Sequence, residues 1–213
     1  MIGLIFATRR EAEPFLALSR SAPLDDGPWP LYEITLAAPV LVAVSGMGKI
    51  AAAAACQHLI REQRVARVIN AGVCGALQTG ETFQPGALFE IVSVVEGDHG
   101  TKDRAAPEEN CPGTWSARLP KARLVTCDQP VFDAGHRLRL AAKGDLVDME
   151  GAAVARVAAL FRTPWTLIKA VTDGAGAGDR ETLLHNLDRV SKILGDHLWK
   201  EIGFRFQVSG VRK

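Results

Sequence analysis

Short runs of β-branched and aliphatic residues alternate with longer Ala-rich stretches of helical period, and no other feature of this chain constrains its fold as tightly. The apolar runs at 2–7, 31–35, 40–45, 68–71, 88–95, 122–126 and 165–171 read as strands. The stretches 10–19, 50–62, 135–143, 149–161 and 181–201 read as helices. Strands apolar on both faces and separated by helices imply a mainly parallel sheet covered on both sides. The runs between 31 and 45 have no helix between them, which predicts a local antiparallel meander. The pattern describes one α/β domain over 1–206, with a frayed tail at 207–213. Only 97–119 breaks it: this segment is polar and irregular, and reads either as a binding loop or as a surface excursion without a role.

Charge and composition exclude several classes of function. Lys and Arg total 25 against 24 Asp and Glu, a net charge of +1. That balance argues against a nucleic-acid partner, because binding a phosphate backbone needs clustered cations to displace counterions. No apolar run approaches the roughly 20 residues of a membrane span. Residues 1–7 are apolar, but no basic stretch precedes them and Arg9-Arg10-Glu11 follows at once, so they read as a buried strand rather than a signal peptide. The four cysteines are scattered, without a CxxC pair, as expected of reduced thiols in a cytoplasmic protein. No HxxxH or HExxH pattern suggests a zinc site.

Four motifs at strand ends carry chemistry. Ser45-Gly46-Met47-Gly48-Lys49-Ile50-Ala51 lacks the upstream glycine and the Ser/Thr of a phosphate loop. It fits GxGxxA on paper, but 68–71 does not end in the acid that would hold a ribose hydroxyl. Its glycines either bind a ligand or only turn strand into helix. Asn70-Ala71-Gly72-Val73-Cys74-Gly75 follows a strand directly, and its small residues permit close approach of a ligand. In Asp148-Met149-Glu150-Gly151, Asp148 can complement a helix dipole, whereas Glu150 among Gly and Ala needs a partner. Thr172-Asp173-Gly174 puts a carboxylate at the end of a central strand, a common place for a general acid and equally for a turn residue. Glu11 and Glu13 read as first-turn helix acids.

Taken in order, these motifs and Glu11 resemble the purine nucleoside phosphorylase/uridine phosphorylase superfamily, nearest its branch of 5′-methylthioadenosine/S-adenosylhomocysteine nucleosidases and futalosine hydrolases. The resemblance covers most of the chain. It implies a three-layer α/β/α sandwich around a mixed, mainly parallel central sheet, and cleavage of a purine nucleoside's N-glycosidic bond. Asp173 would protonate the departing base at N7, and Glu11 would position or activate water. Met149 and Glu150 would hold the ribose, and Val131, beside Pro130, would present backbone groups to the base. Val73, Gly75 and Thr172 would line the site. No metal or organic cofactor is implied; a homo-oligomer, commonly a dimer, is.

Physical chemistry agrees with these roles. An oxocarbenium-like transition state makes the sugar positive and the base negative, which carboxylates at the ribose and a carboxylic acid at the base would match. Asp173 would need a raised pKa to serve as that acid, which burial in a closed, apolar pocket can supply. The chain departs from the family at Val73 and Cys74, where Ser/Thr and Ala are usual, at Pro130, where an aromatic stacks on the base, at Thr172, where serine is usual, and across 97–115. No Gly-Asp-Pro phosphate segment is present, so a hydrolase is expected over a phosphorylase. A binding protein that has lost turnover is the competing class, and a dinucleotide-dependent oxidoreductase rests on GxGxxA alone.

Overall fold

Strand alternation sorts the apolar residues of the first strands onto two faces. In β1 (Ile2–Phe6), Ile5 faces one side, while Ile2, Leu4 and Phe6 face the other. In β3 (Pro39–Val44), Leu41 and Ala43 join Ile5, and Val40, Val42 and Val44 join Phe6. Neither face can be left to water, so both require helices. The computed structural model describes the chain apart from residues 20, 25–27, 37, 100–105, 177–178 and 210–213. In it, α2 (Lys49–Arg61) and α4 (Gly151–Leu160) cover Ile5's face through Cys56, Leu59, Val154 and Ala158. The opposite face is covered by α1 (Arg9–Ser19) through Phe15 and Leu16, and by α5 (Asp179–Ser209) through Val190, Leu194, Leu198 and Ile202. The result is the three-layer α/β/α arrangement that the resemblance implies.

The helices stay where they are because of what they bury. Residues 190, 194, 198 and 202 recur every four positions, the spacing of one helical face. Each large aliphatic side chain buried there contributes roughly 1.5–3 kcal/mol. The approach of α5 to α1 is set by Gly195, where a Cβ would stand 2.9 Å from the backbone nitrogen of Phe15.

Among the described residues the sheet has nine strands, with β2 (Leu31–Thr35) antiparallel to β3, the expected meander. β1 lies parallel to β3 and to β4 (Arg67–Ala76). β4 continues to β8 (Leu146–Asp148), β7 (Lys121–Thr126), β5 (Leu88–Glu96) and the edge strand β6 (Glu108–Asn110). The last strand, β9 (Trp165–Asp173), pairs in parallel with β4 and antiparallel with β5. The strands β4, β8, β7, β5 and β9 therefore close a ring. An open sheet is the simpler reading of the sequence; the ring gathers the C-terminal ends of β4, β8 and β9 around one point.

Four expectations change. The motif at 70–75 does not follow a strand; it lies inside β4, which runs on to Ala76 with a bulge between Cys74 and Gly75. Pairing with β9 along its whole length outweighs the weak strand propensity of glycine. The helix expected at 149–161 starts at Gly151, leaving Met149 and Glu150 before it. The segment 97–119 is not wholly irregular: it includes β6, and Trp115 is buried. Of the expected tail, 207–209 continue α5 and 210–213 lie outside the described residues.

Candidate active site

Glu11 is placed by the first turn of α1. Its Oε2 accepts hydrogen bonds from the Thr8 backbone N–H at 2.9 Å and hydroxyl at 2.7 Å, and Thr8 Oγ1 accepts from the Glu11 N–H at 3.2 Å. This reciprocal capping fixes the buried carboxylate. Its other oxygen reaches the middle of β4, where Oε1 accepts from the Val73 N–H at 2.9 Å. Gly72 allows this, because a Cβ there would stand 2.9 Å from Oε1.

Asp148 and Glu150 divide the work at the start of α4. Asp148 Oδ2 accepts from the Gly151 N–H at 2.8 Å, and Oδ1 accepts from the Thr126 hydroxyl at 2.6 Å. Beneath it, Lys169 Nζ lies 2.7 Å from Asp148 Oδ2, with both side chains 1% exposed. Lys169 also donates to Asn70 Oδ1 at 2.7 Å. Burial alone would pull the ammonium pKa down, but the charges of Asp148 and Glu150 outweigh it and the pKa is raised. Asp148 thus takes over capping and the buried cation, which frees Glu150 from both.

Glu150 is buried and accepts from the Gly48 N–H at 2.7 Å through Oε1. Burial and then the charge of Asp148 push its pKa up to about 7, against the opposing pull of Lys169 and the Gly48 N–H. Asp173, the last residue of β9, is likewise buried. Its Oδ2 accepts from the Ala175 N–H at 3.0 Å. The Thr172 hydroxyl lies 2.7 Å from Asp173 Oδ1 and 3.2 Å from the Cys74 carbonyl oxygen, able to donate to either. Asn186 of α5 donates to the Thr172 carbonyl at 2.9 Å. A Cβ on Gly75 would stand 2.9 Å from Ala175 Cβ and 3.2 Å from Asp173 Oδ2, so only glycine lets these backbones meet.

These groups surround one cavity of about 450 Å³ whose lining is largely apolar. Every candidate residue lines it: Glu11, Val73, Gly75, Val131, Met149, Glu150, Thr172 and Asp173. No described residue of 97–119 does. Acids facing a nucleoside-sized apolar hollow can exchange protons with a ligand and stabilise a developing cation.

Several contributors escape the sequence reading. Phe132 lines the cavity two residues beyond Pro130 and brings an aromatic ring to that wall. Arg180, Leu183, Leu184 and Leu187 do so at the i, i+3, i+4, i+7 spacing of one helix face, a periodicity readable in principle. Lys169 carries a signal too: a lysine inside an apolar strand must be paired. Among the described residues, no group of three or more His, Cys, Asp or Glu is placed to hold a metal ion.

Comparison with known proteins adds a family. Residues 1–197 match the model of the phosphorylase superfamily. The chain is 30% identical to the 5′-methylthioadenosine/S-adenosylhomocysteine nucleosidase of Treponema pallidum, over 68% of this chain and 71% of that protein. The native futalosine hydrolase of Helicobacter pylori shares the fold with a TM-score of 0.85 at 21% identity, covering 94% of this chain and 96% of that one. The 5′-methylthioadenosine/S-adenosylhomocysteine nucleosidase of Helicobacter pylori with butyl-thio-DADMe-Immucillin-A shares it with a TM-score of 0.86 at 22% identity, covering 94% and 97%.

Proposed function

This chain belongs to the phosphorylase superfamily, and from that premise we propose that it hydrolyses the N-glycosidic bond of a purine nucleoside and releases the free base. The observation that carries the reading is the convergence of Glu11, Glu150 and Asp173, from three separate elements, on one cavity. The relatives named above as nucleosidases support hydrolysis.

In this mechanism the C1′–N9 bond breaks with its electron pair passing to the base, and Asp173 delivers a proton to N7. Water adds to C1′ while Glu11 takes up its proton. Glu150 accepts hydrogen bonds from ribose hydroxyls beside Met149, and with Glu11 it faces the positive charge that develops on the sugar. The main chain at Val131 reads the base edge. Val73, Gly75 and Thr172 form the wall that brings Asp173 to the base. The substrate class is a 5′-modified purine nucleoside, of methylthioadenosine/S-adenosylhomocysteine type or futalosine type.

We further read the working form as a homodimer in the cytoplasm. Met47 at the cavity wall is 69% exposed and Ile50 nearby is 89% exposed, apolar surface that a second copy would cover. The four cysteines are free thiols, which fits a reducing compartment. No helix among the described residues is long and apolar enough to cross a membrane.

The test is a panel of purine nucleosides, with and without inorganic phosphate, on the native protein and on Asp173→Asn. Release of free base and free sugar without phosphate is expected, with turnover lowered about 10²–10⁴-fold in the variant while nucleoside binding survives. Strict dependence on phosphate with a ribose 1-phosphate product would make it a phosphorylase. Unchanged turnover in the variant would remove Asp173 from the mechanism.

A further inference from the structure

The Gly48 N–H that meets Glu150 belongs to a turn anchored at its ends, where the Gly46 N–H donates to the Ala7 carbonyl at 2.9 Å and the Gly48 carbonyl accepts from the Ala52 N–H at 3.1 Å, but no side chain packs on Gly48 itself. Gly46 and Gly48 have φ of 91° and 94°, in the left-handed region, and the space a Cβ of Gly48 would occupy is empty to 4 Å. Nevertheless this amide must stay 2.7 Å from a carboxylate 102 residues away in sequence. The next residue adds a restraint through its side chain. Lys49 Nζ lies 2.6 Å from Asp98 Oδ1, 3.2 Å from Glu96 Oε2 and 3.2 Å from Asp128 Oδ1, and its side chain is only 15% exposed.

Those three acids are themselves tied together. Glu96 ends β5, and Asp98 Oδ2 accepts from the Asp128 N–H beyond β7. Glu96 Oε1 accepts from Arg156 Nη1 at 2.8 Å. Arg156 stands on α4, the helix that Glu150 precedes. The connections therefore close on themselves: Glu150 to α4, Arg156 to Glu96, Glu96 to Lys49, and Gly48 back to Glu150. Helix physics does not explain a lysine here, because a cation in the first turn of α2 opposes the helix dipole. Its pKa is nonetheless raised: burial pulls it down, and Asp98, Glu96 and Asp128 more than compensate.

We propose that Lys49 is a positioning residue for the active site, a strut that holds the Gly48 amide on Glu150 and so sets the direction of the carboxylate that meets the ribose. The inference rests on the reading of Glu150 as a substrate-binding group. It differs from a surface ion pair in having three acceptors on two strand ends and in closing a circuit through α4.

The test titrates Glu150 by ¹³C NMR in the full-length, ligand-free protein, alongside kcat/KM profiles against pH with the best nucleoside of the panel. The groups facing Glu150 are Asp148, Lys169, Glu11 and the Gly48 N–H, and only the last should change. In Lys49→Met the amide drifts, Glu150 loses a donor that favours its charged form, and its titration moves up by about one unit. The acid limb of kcat/KM should follow, with roughly a tenfold loss from misplacement, and Lys49→Arg should restore both. Asp98→Ala separates a strut from a mere field and remains informative if Lys49→Met does not fold. Removing a negative charge alone would move the Glu150 titration down, whereas loosening the strut moves it up. An unmoved or lowered titration in either variant overturns the proposal. If Glu150→Gln is fully active, the reading of the site fails and the proposal with it; if that variant is inactive and the titration unmoved, the proposal alone fails.

Discussion

Glu90 and Glu150 are both glutamates buried against the sheet, and their surroundings are opposite. Glu90, in β5, has its oxygens filled: Oε1 accepts from the Trp115 N–H at 2.5 Å, and Oε2 from the Ser116 N–H at 2.6 Å and Lys121 Nζ at 2.7 Å. It is not among the residues that line the active-site cavity, and it clamps the segment before β7 to the sheet. The Glu150 carboxylate shows a single hydrogen bond among the described residues, faces the cavity, and has its pKa pushed up by burial to about 7. A fold that can satisfy one buried carboxylate completely and leaves another half satisfied is holding the second for something else. Facing the cavity is what separates the reactive groups from the anchor, because Glu11 accepts three hydrogen bonds, as Glu90 does, and still lines the cavity with Glu150.

Exchanging the two charges for amides would break this contrast most sharply. Glu150→Gln should lower kcat/KM about a hundredfold or more, with little loss of stability. Glu90→Gln should do the reverse. It presents an amide nitrogen to groups that are all donors and should cost about 3 kcal/mol, as breaking a buried pair does, with turnover per folded molecule unchanged. Urea melts and initial rates on both variants check this. A Glu90 variant that stays folded but turns over slowly would show that the clamp reaches the cavity after all.

The second effect is one of sign. The Glu150 carboxyl moves from 4.5 when unfolded to about 7 when folded, so between those values the native state binds the extra proton and stability falls as pH rises. A shift of that size corresponds to about 3 kcal/mol, fully present below pH 4.5 and lost above 7. Differences between the native protein and Glu150→Gln cancel the other groups. The variant should therefore gain on the native protein between pH 5 and pH 8 in paired melts. A gap that stays constant would mean that Glu150 is charged throughout and better solvated than its burial implies.

Much of the fold and part of the site were legible in the chain, but unevenly. β2 lies at 31–35 as its residues predict, and strict alternation in β1 and β3 announced two covered faces. The motif around Gly72 and Gly75 misled, because glycine reads as the end of a strand, whereas β9 and β8 pair with β4 from both sides and carry it through. The ring of strands was not legible, since it depends on β9 meeting β5 some 80 residues away in sequence. Glu11, Glu150 and Asp173 came to notice as strand-end acids, and resemblance, not spacing, joined them. Arg180 and its leucines escaped because periodicity shows that a helix has an apolar face but not that the face looks onto a hollow. Glu90 and Glu150 each sit among apolar neighbours in the sequence; their partners lie 25 and 102 residues away, so the difference between them is purely tertiary.

The finest distinction lies within the Glu90 clamp itself. Its charge meets two backbone amides in the buried interior and one lysine whose side chain is 34% exposed. Lys121 also donates to the Ser116 carbonyl at 2.8 Å, so it grips the same segment from both sides. If the amides hold the carboxylate, Lys121→Met should cost only about 1 kcal/mol, because water already screens part of the pair. That loss should shrink as salt is added, since an exposed charge is screened within a Debye length. The Glu90→Gln deficit should not shrink, because the groups it leaves misdirected are sealed from solvent. Melts of both variants at low and high salt separate the contributions. A Lys121→Met loss as large as that of Glu90→Gln would mean that the ion pair, not the pair of amides, anchors the segment, and a buried carboxylate would then be judged by its counterion before its donors.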